Sequence, residues 1–208
     1  MYFQKTIKLL IACLLITFFT GCMPYNVNKN HDVCYIFNKN YSWYRSVIRV
    51  EKKYHIKSSI IMAIVAQESN YQYNARPPRN YILGIIPWGY KSTAVGYAQV
   101  INGAWADYLK DNPGFFKSRT RFGDAVDFIG WYLDKGSKKL KISKNNAEDL
   151  YLVYHQGING YKKHEEKKNP KLRLIAKQVA QRAKAYEQQF RACSSKLLLW
   201  HWLYFWDY

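Results

Sequence analysis

In the stretch IMAIVAQESNY, residues 61–71, a nearly unbroken apolar run ends in one carboxylate, Glu68, followed by Ser69. If the run is helical, the residues three, four and seven places before Glu68 share its face. These are Val65, Ile64 and Ile61. The carboxyl group then sits on an apolar stripe, and desolvation raises a carboxyl pKa. An acid that keeps its proton near neutral pH can deliver it to a glycosidic oxygen. Periodicity alone leaves two other fates open: a side chain that swings into water, or one that pairs with Arg76 or Arg79.

The elements that must position Glu68 read as helices. Trp43 to Tyr54 is amphipathic, with Tyr44, Val47, Ile48 and Val50 among charges. Ser58 and Ser59 are N-cap candidates for a helix reaching about Asn70. Ala75 to Gly96 contains Pro77, Pro78 and Pro87 and is predicted as a long loop. Short helices follow at Asn102 to Leu109 and at Arg121 to Asp134. Asn145 or Asn146 caps another, which Gly157 ends. Pro170 opens a last long helix through Phe190. No alternating strand and no internal repeat stands out, so the expected fold is all-α with one long Pro-rich loop.

The ends of the chain carry other signals. MYFQKTIKLLIACLLITFFTGC has Lys5 and Lys8, a short apolar run and Thr20-Gly21-Cys22. This reads as a secretory signal over residues 1–21, and the FTGC ending resembles a bacterial lipobox that lipidates Cys22. Residues 22–33 then form a tether. Met23, not an aspartate, follows Cys22, which favours an outer-membrane lipoprotein facing the periplasm over an inner-membrane one. Losing Lys5 and Lys8 lowers the net charge from +18 to +16. Export excludes nucleic acid as the anionic partner and leaves envelope material, or a merely solvated basic surface. Cys34 and Cys193 remain as an even pair in an oxidising compartment, either bridged or two buried thiols. They bracket all the periodic sequence, so a bridge is expected, with the domain running over 34–193. Residues 194–208 (SSKLLLWHWLYFWDY) form an aromatic tail, too short to cross a membrane. Its Trp200, Trp202, Tyr204 and Trp206 suit either a membrane interface or a hydrophobic groove.

Glu68-Ser69 at the end of a buried helix, Gly96-Tyr97-Ala98-Gln99, and Val153-Tyr154-His155-Gln156-Gly157 occur in that order. The set resembles the three motifs of the soluble lytic transglycosylase (SLT) family, usually E-S, G-L-M-Q and A-Y-N-A-G. The likeness is closer to the SLT domain 4 branch, through QESNYQYNARPPRNYILGIIPWG, GYAQ, DFIGWY and YHQGINGY. It covers essentially Cys34 to Cys193. Tyr97-Ala98 and His155-Gln156 depart from the common pattern, and the branch leads one to expect an acid where Gln156 stands.

The resemblance implies a goose-lysozyme-like helical domain that cleaves peptidoglycan, with Glu68 as the single catalytic acid. Glu68 would protonate the oxygen between N-acetylmuramic acid and N-acetylglucosamine. As a carboxylate it would then accept the C6 hydroxyl proton, giving a 1,6-anhydro product. Ser69, Gly96, Gln99, Tyr154 and His155 are the implied substrate-binding residues, with Ser69 open also to a helix-end hydrogen bond, Gln99 to a bond with Glu68, and Tyr154 and His155 to simple burial; Trp88 and Tyr90 of the insert would stack on sugars or pin the loop. The implied partners are glycan strands and the membrane, the latter through lipidated Cys22; the protein is expected to be a monomer. No cofactor is implied. The scattered histidines His31, His55, His155, His164 and His201 lack metal-ligand spacing. A lysozyme-like hydrolase and a non-catalytic cell-wall-binding lipoprotein are the alternatives.

Overall fold

The computed structural model describes residues 32–204, with side chains through Ser195 and at Leu197. The signal segment, Cys22 and Trp206 lie outside the described residues. Seven α-helices and one small hairpin are present among them: α1 Val33–Lys39, α2 Tyr41–Tyr54, α3 Ser58–Ser69, β1 Arg79–Ile82, β2 Ile86–Tyr90, α4 Asn102–Asp111, α5 Phe122–Leu140, α6 Ala147–Lys162 and α7 Pro170–Tyr204. A single 3₁₀ turn, Glu165–Lys168, joins α6 to α7.

Helix α3 is the axis of the domain. Ile60 through Val65 are all buried, so this helix has no solvated side and the stripe expected for Glu68 widens to a full circumference. Each fully buried Ile or Met there contributes about 1.5–3 kcal/mol of hydrophobic stabilisation. A helix apolar all round must be enclosed by others. Its neighbours are α7, α2 and α5, while α6 packs against both α5 and α7. Helix α2 places Tyr44, Val47, Val50 and Tyr54 on one buried face, as its periodicity requires. Trp43 stacks on Phe122 at the start of α5, with ring centroids 4.0 Å apart.

Both ends of α3 are tied. The backbone N–H and hydroxyl of Ser58 donate to Glu51 Oε2 at 2.9 and 2.5 Å. Lys57, not a serine, occupies the N-cap position, and the cap comes from a neighbouring helix instead. At the other end Asn70 takes the left-handed conformation that closes the helix.

Three sequence expectations change. The loop predicted over Ala75 to Gly96 contains an antiparallel hairpin, with Arg79 opposite Tyr90, Tyr81 opposite Pro87 and Ile82 opposite Ile86. Its tip turns at Leu83 and Gly84, both at positive φ, the pattern of primed hairpin turns. Every residue of both strands is exposed, so no face alternates and the period-2 signal is missing. Gly157 does not end α6 but kinks it, at φ 78° and ψ 163°, and the helix resumes to Lys162. Helix α7 passes Phe190 and runs on to Tyr204, through residues read from sequence as a tail. Leu197 on that extension is buried. Asp32 caps α1 by accepting from the backbone N–H of Cys34 and Tyr35, at 2.8 and 3.3 Å. Cys34 on α1 and Cys193 on α7 form a disulfide across 159 residues.

Candidate active site

A cleft of about 530 Å³ opens over the end of α3. Its lining draws Glu68 from α3, Pro77 and Ser92 from the two feet of the hairpin segment, Gln99 from the turn before α4, Phe128 and Tyr132 from α5, and Tyr154 to Gly157 from α6. All three sequence motifs therefore reach one cavity, although they are up to 89 positions apart in the chain.

Among the described residues Glu68 is the only carboxylic acid in that lining. Burial pushes its pKa from 4.5 up to about 7, and a hydrogen bond from the Tyr151 hydroxyl pulls in the opposite direction. Desolvation dominates because the carboxylate Oε1 has neither water access nor a hydrogen-bond partner. Neither Arg76 nor Arg79 reaches it: both guanidinium groups lie over the Tyr90 ring, at 5.4 and 5.2 Å. The helix end thus holds a proton donor poised near neutral pH, without a cation to ionise it.

The second motif is a tight turn. Gly96 adopts φ 78°, and a Cβ there would lie 2.2 Å from the Arg119 carbonyl oxygen, so only glycine fits. Its N–H donates to the Ala75 carbonyl at 3.0 Å. Gln99, left-handed at φ 48°, donates its side-chain amide to the carbonyls of Ala75 and Gly96, both at 2.9 Å. Gln99 therefore fastens the turn to the irregular segment leading into the hairpin, and faces the cleft while doing so.

The third motif locks onto the second. The Tyr154 hydroxyl donates to the Ala98 carbonyl at 2.6 Å. Its ring meets Tyr132 edge-on at 5.8 Å, and Phe128 lies against Tyr132, also at 5.8 Å. These three rings form an aromatic wall. The Ile158 N–H, freed by the Gly157 kink, bonds the Tyr132 hydroxyl, so the break in α6 also orients the wall. Burial lowers the pKa of His155, which keeps this cleft histidine neutral at pH 7.

Ser69 and Gly96 stand apart from the other sequence-predicted substrate contacts. The Ser69 hydroxyl is buried and donates to the Val65 carbonyl at 3.1 Å, one turn back in its own helix. Gly96 shapes the turn from behind. Trp88 and Tyr90 sit on the hairpin outside the cleft lining. Sequence reasoning missed Tyr151, which lies one helical turn before His155 and is fully inside the core. A tyrosine at that spacing on the helix bearing YHQG was the available signal. Gln156 lines the cleft with both polar side-chain atoms buried and unpaired. No cluster of three or more His, Cys, Asp or Glu among the described residues is arranged to hold a metal ion.

Comparison with known proteins agrees with this geometry. No curated protein and no solved structure matches the chain. A family model described as "Transglycosylase SLT domain" matches residues 10–193, nearly nine-tenths of the sequence. The helical domain, the single acid in the described lining of the cleft and this match together assign the chain to the transglycosylase SLT domain family, the lytic transglycosylases that act on peptidoglycan in the bacterial envelope.

Proposed function

We propose that Glu68 alone serves as acid and then base in cutting the bond between N-acetylmuramic acid and N-acetylglucosamine. The protonated carboxyl gives its proton to the glycosidic oxygen, and the bond from that oxygen to the muramyl C1 breaks. The N-acetylglucosamine unit leaves as an alcohol. The Glu68 carboxylate takes the proton of the muramyl C6 hydroxyl, whose oxygen closes onto C1. The acid is regenerated, the product is a 1,6-anhydro sugar, and no water is consumed.

The observation that carries this reading is the charge inventory of the cleft. Two-carboxylate glycosidases need a second acid as nucleophile or base. Here Glu68 is the sole acid among the described residues lining the cavity, and an internal hydroxyl of the substrate supplies the nucleophile. A proton held to about pH 7 suits the first step, and the aromatic wall of Phe128, Tyr132 and Tyr154 suits exclusion of water from the reacting carbon. Gln99, Tyr154 and His155 frame the sugar. Gln99 retains its carbonyl oxygen as an acceptor after using its amide on the turn.

The same reading places the enzyme in the envelope as a lipoprotein. Cys22 would be lipidated after removal of residues 1–21, and Met23 favours retention at the outer membrane. Digestion of purified sacculi followed by mass spectrometry of the muropeptides tests the chemistry. Anhydro products one water lighter than hydrolysed ones are expected from the parent, and none from Glu68→Gln. Hydrated products would mean a lysozyme-like hydrolase. Binding to sacculi with no release from either protein would mean a non-catalytic wall-binding lipoprotein.

A further inference from the structure

The hairpin is layered along its length. At its tip Ile82, Leu83, Ile85 and Ile86 are all exposed, Leu83 by 86% and Ile85 by 76%. One step back stand Tyr81 and Trp88, exposed by 57% and 67%. At the base are Arg76, Arg79 and Lys91, with Tyr90 beneath the two guanidinium groups. None of these three cations has an acidic partner among the described residues. From Arg79 to the turn the strand climbs about 13 Å at the usual rise per residue.

Water is a poor partner for such a tip, and sugar is not its partner either, because none of these side chains lines the cleft. The order apolar tip, aromatic belt, cationic collar matches a membrane interface read from the acyl region outward. Interfacial elements bury their apolar part about 5–10 Å deep. That depth would immerse Ile82 to Ile86 and bring Tyr81 and Trp88 to the headgroups. The collar then lies against lipid phosphates, where an anionic surface attracts it.

We propose that the hairpin is a membrane-docking element that inserts its tip into an anionic bilayer. Pro77 and Ser92, at the feet of the hairpin, line the cleft, so docking sets the mouth of the cleft beside the bilayer surface. Glycan close to the membrane is then the substrate within reach. This contact is separate from any acyl chain on Cys22, and it stands whether or not the bond chemistry is as described above.

A dye on the tip reads the contact locally. The full chain carrying Cys13→Ser and Cys22→Ser has no acyl chain, and an environment-sensitive fluorophore is attached at Leu83→Cys. Leu83 is exposed, so the label should leave the melting temperature unchanged. On vesicles of phosphatidylethanolamine with phosphatidylglycerol, the emission should shift to the blue. A shallow lipid-borne quencher should quench it, and quenching by aqueous iodide should fall severalfold. Arg76→Ser with Arg79→Ser should abolish most of this response, and Arg76→Lys with Arg79→Lys should restore it. A dye that stays as open to iodide on vesicles as in buffer overturns the proposal. So does an equal response on phosphatidylcholine alone, or a blue shift that grows with protein concentration without vesicles and so marks a second copy of the chain.

Discussion

Glu68 couples stability and activity to pH through one raised pKa. Its carboxyl keeps a proton to about pH 7 when folded, against an ordinary value of 4.5. Between those values the folded state binds the proton and the unfolded state does not, so stability falls as pH rises from about 4.5 to about 7. Glu68→Gln removes that slope. Its stability relative to the parent should grow across this window and level off above it, as measured by urea unfolding at a series of pH values. In the parent, kcat/KM on sacculi should decline tenfold per pH unit above the Glu68 pKa, because the donor is lost. Tyr151→Phe deletes the hydrogen bond that favours the carboxylate. The alkaline limb of the rate profile should therefore move to higher pH, with a stability cost of about 1 kcal/mol. Gln156 is a different case, since both of its polar atoms are buried without partners. Gln156→Leu keeps the bulk and removes the desolvated amide, so the folded protein should gain up to about 1 kcal/mol in the same unfolding assay.

Among the elements, the turn at Gly96 to Gln99 joins three parts of the cleft. It bonds Ala75 on one side and accepts the Tyr154 hydroxyl on the other, while Arg119 Nη1 reaches the carbonyls of Thr93 and Val100, at 2.9 and 2.8 Å, to hold the flanking segments. A methyl group at Gly96 would collide with backbone, not with a side chain that can step aside. Gly96→Ala should therefore cost about 2 kcal/mol or more. It should lower kcat on sacculi even where the protein remains folded, and thermal melts beside turnover assays separate the two effects. This is also where sequence and structure part company. Helices α2 and α5 were legible because burial on one face leaves a periodic apolar trace, and α3 because burial on all faces leaves a long unbroken apolar run. The E-S, GYAQ and YHQG motifs were legible as an ordered set. The hairpin was not, because both of its faces are wet and neither strand alternates. The kink at Gly157 was misread as a stop, since a left-handed glycine looks the same whether a helix ends there or resumes. For Ser69 the sequence left a substrate contact and a helix-end hydrogen bond equally open, and its hydroxyl is turned back onto the Val65 carbonyl.

The whole molecule is closed by its first and last helices. Helix α1 packs on α7, and the Cys34–Cys193 bridge joins them. Gln189 on α7 adds a bond to the backbone N–H of Val33 at 2.9 Å, and Lys57 pairs with Glu187 at 2.9 Å beside the start of α3. The ion pair is largely solvated and contributes little. The bridge acts on a different quantity. It closes a loop of 159 residues and so limits the unfolded chain far more than a local staple would. Helix α7, packed along α3 and bonded through Arg182 to Gln67 next to Glu68, is the element that this closure holds in place. Reduction, or Cys34→Ser with Cys193→Ser, should lower unfolding stability by about 3–5 kcal/mol in the loop-entropy account. A local role predicts something else: α1 alone would fray and the rest of the domain would melt as before. Hydrogen exchange on the reduced protein distinguishes them. Loss of protection in α3 together with α1 marks a closure that stabilises the entire domain, and with it the buried site of Glu68. Loss confined to Val33–Lys39 would reduce the bridge to a clasp on one short helix.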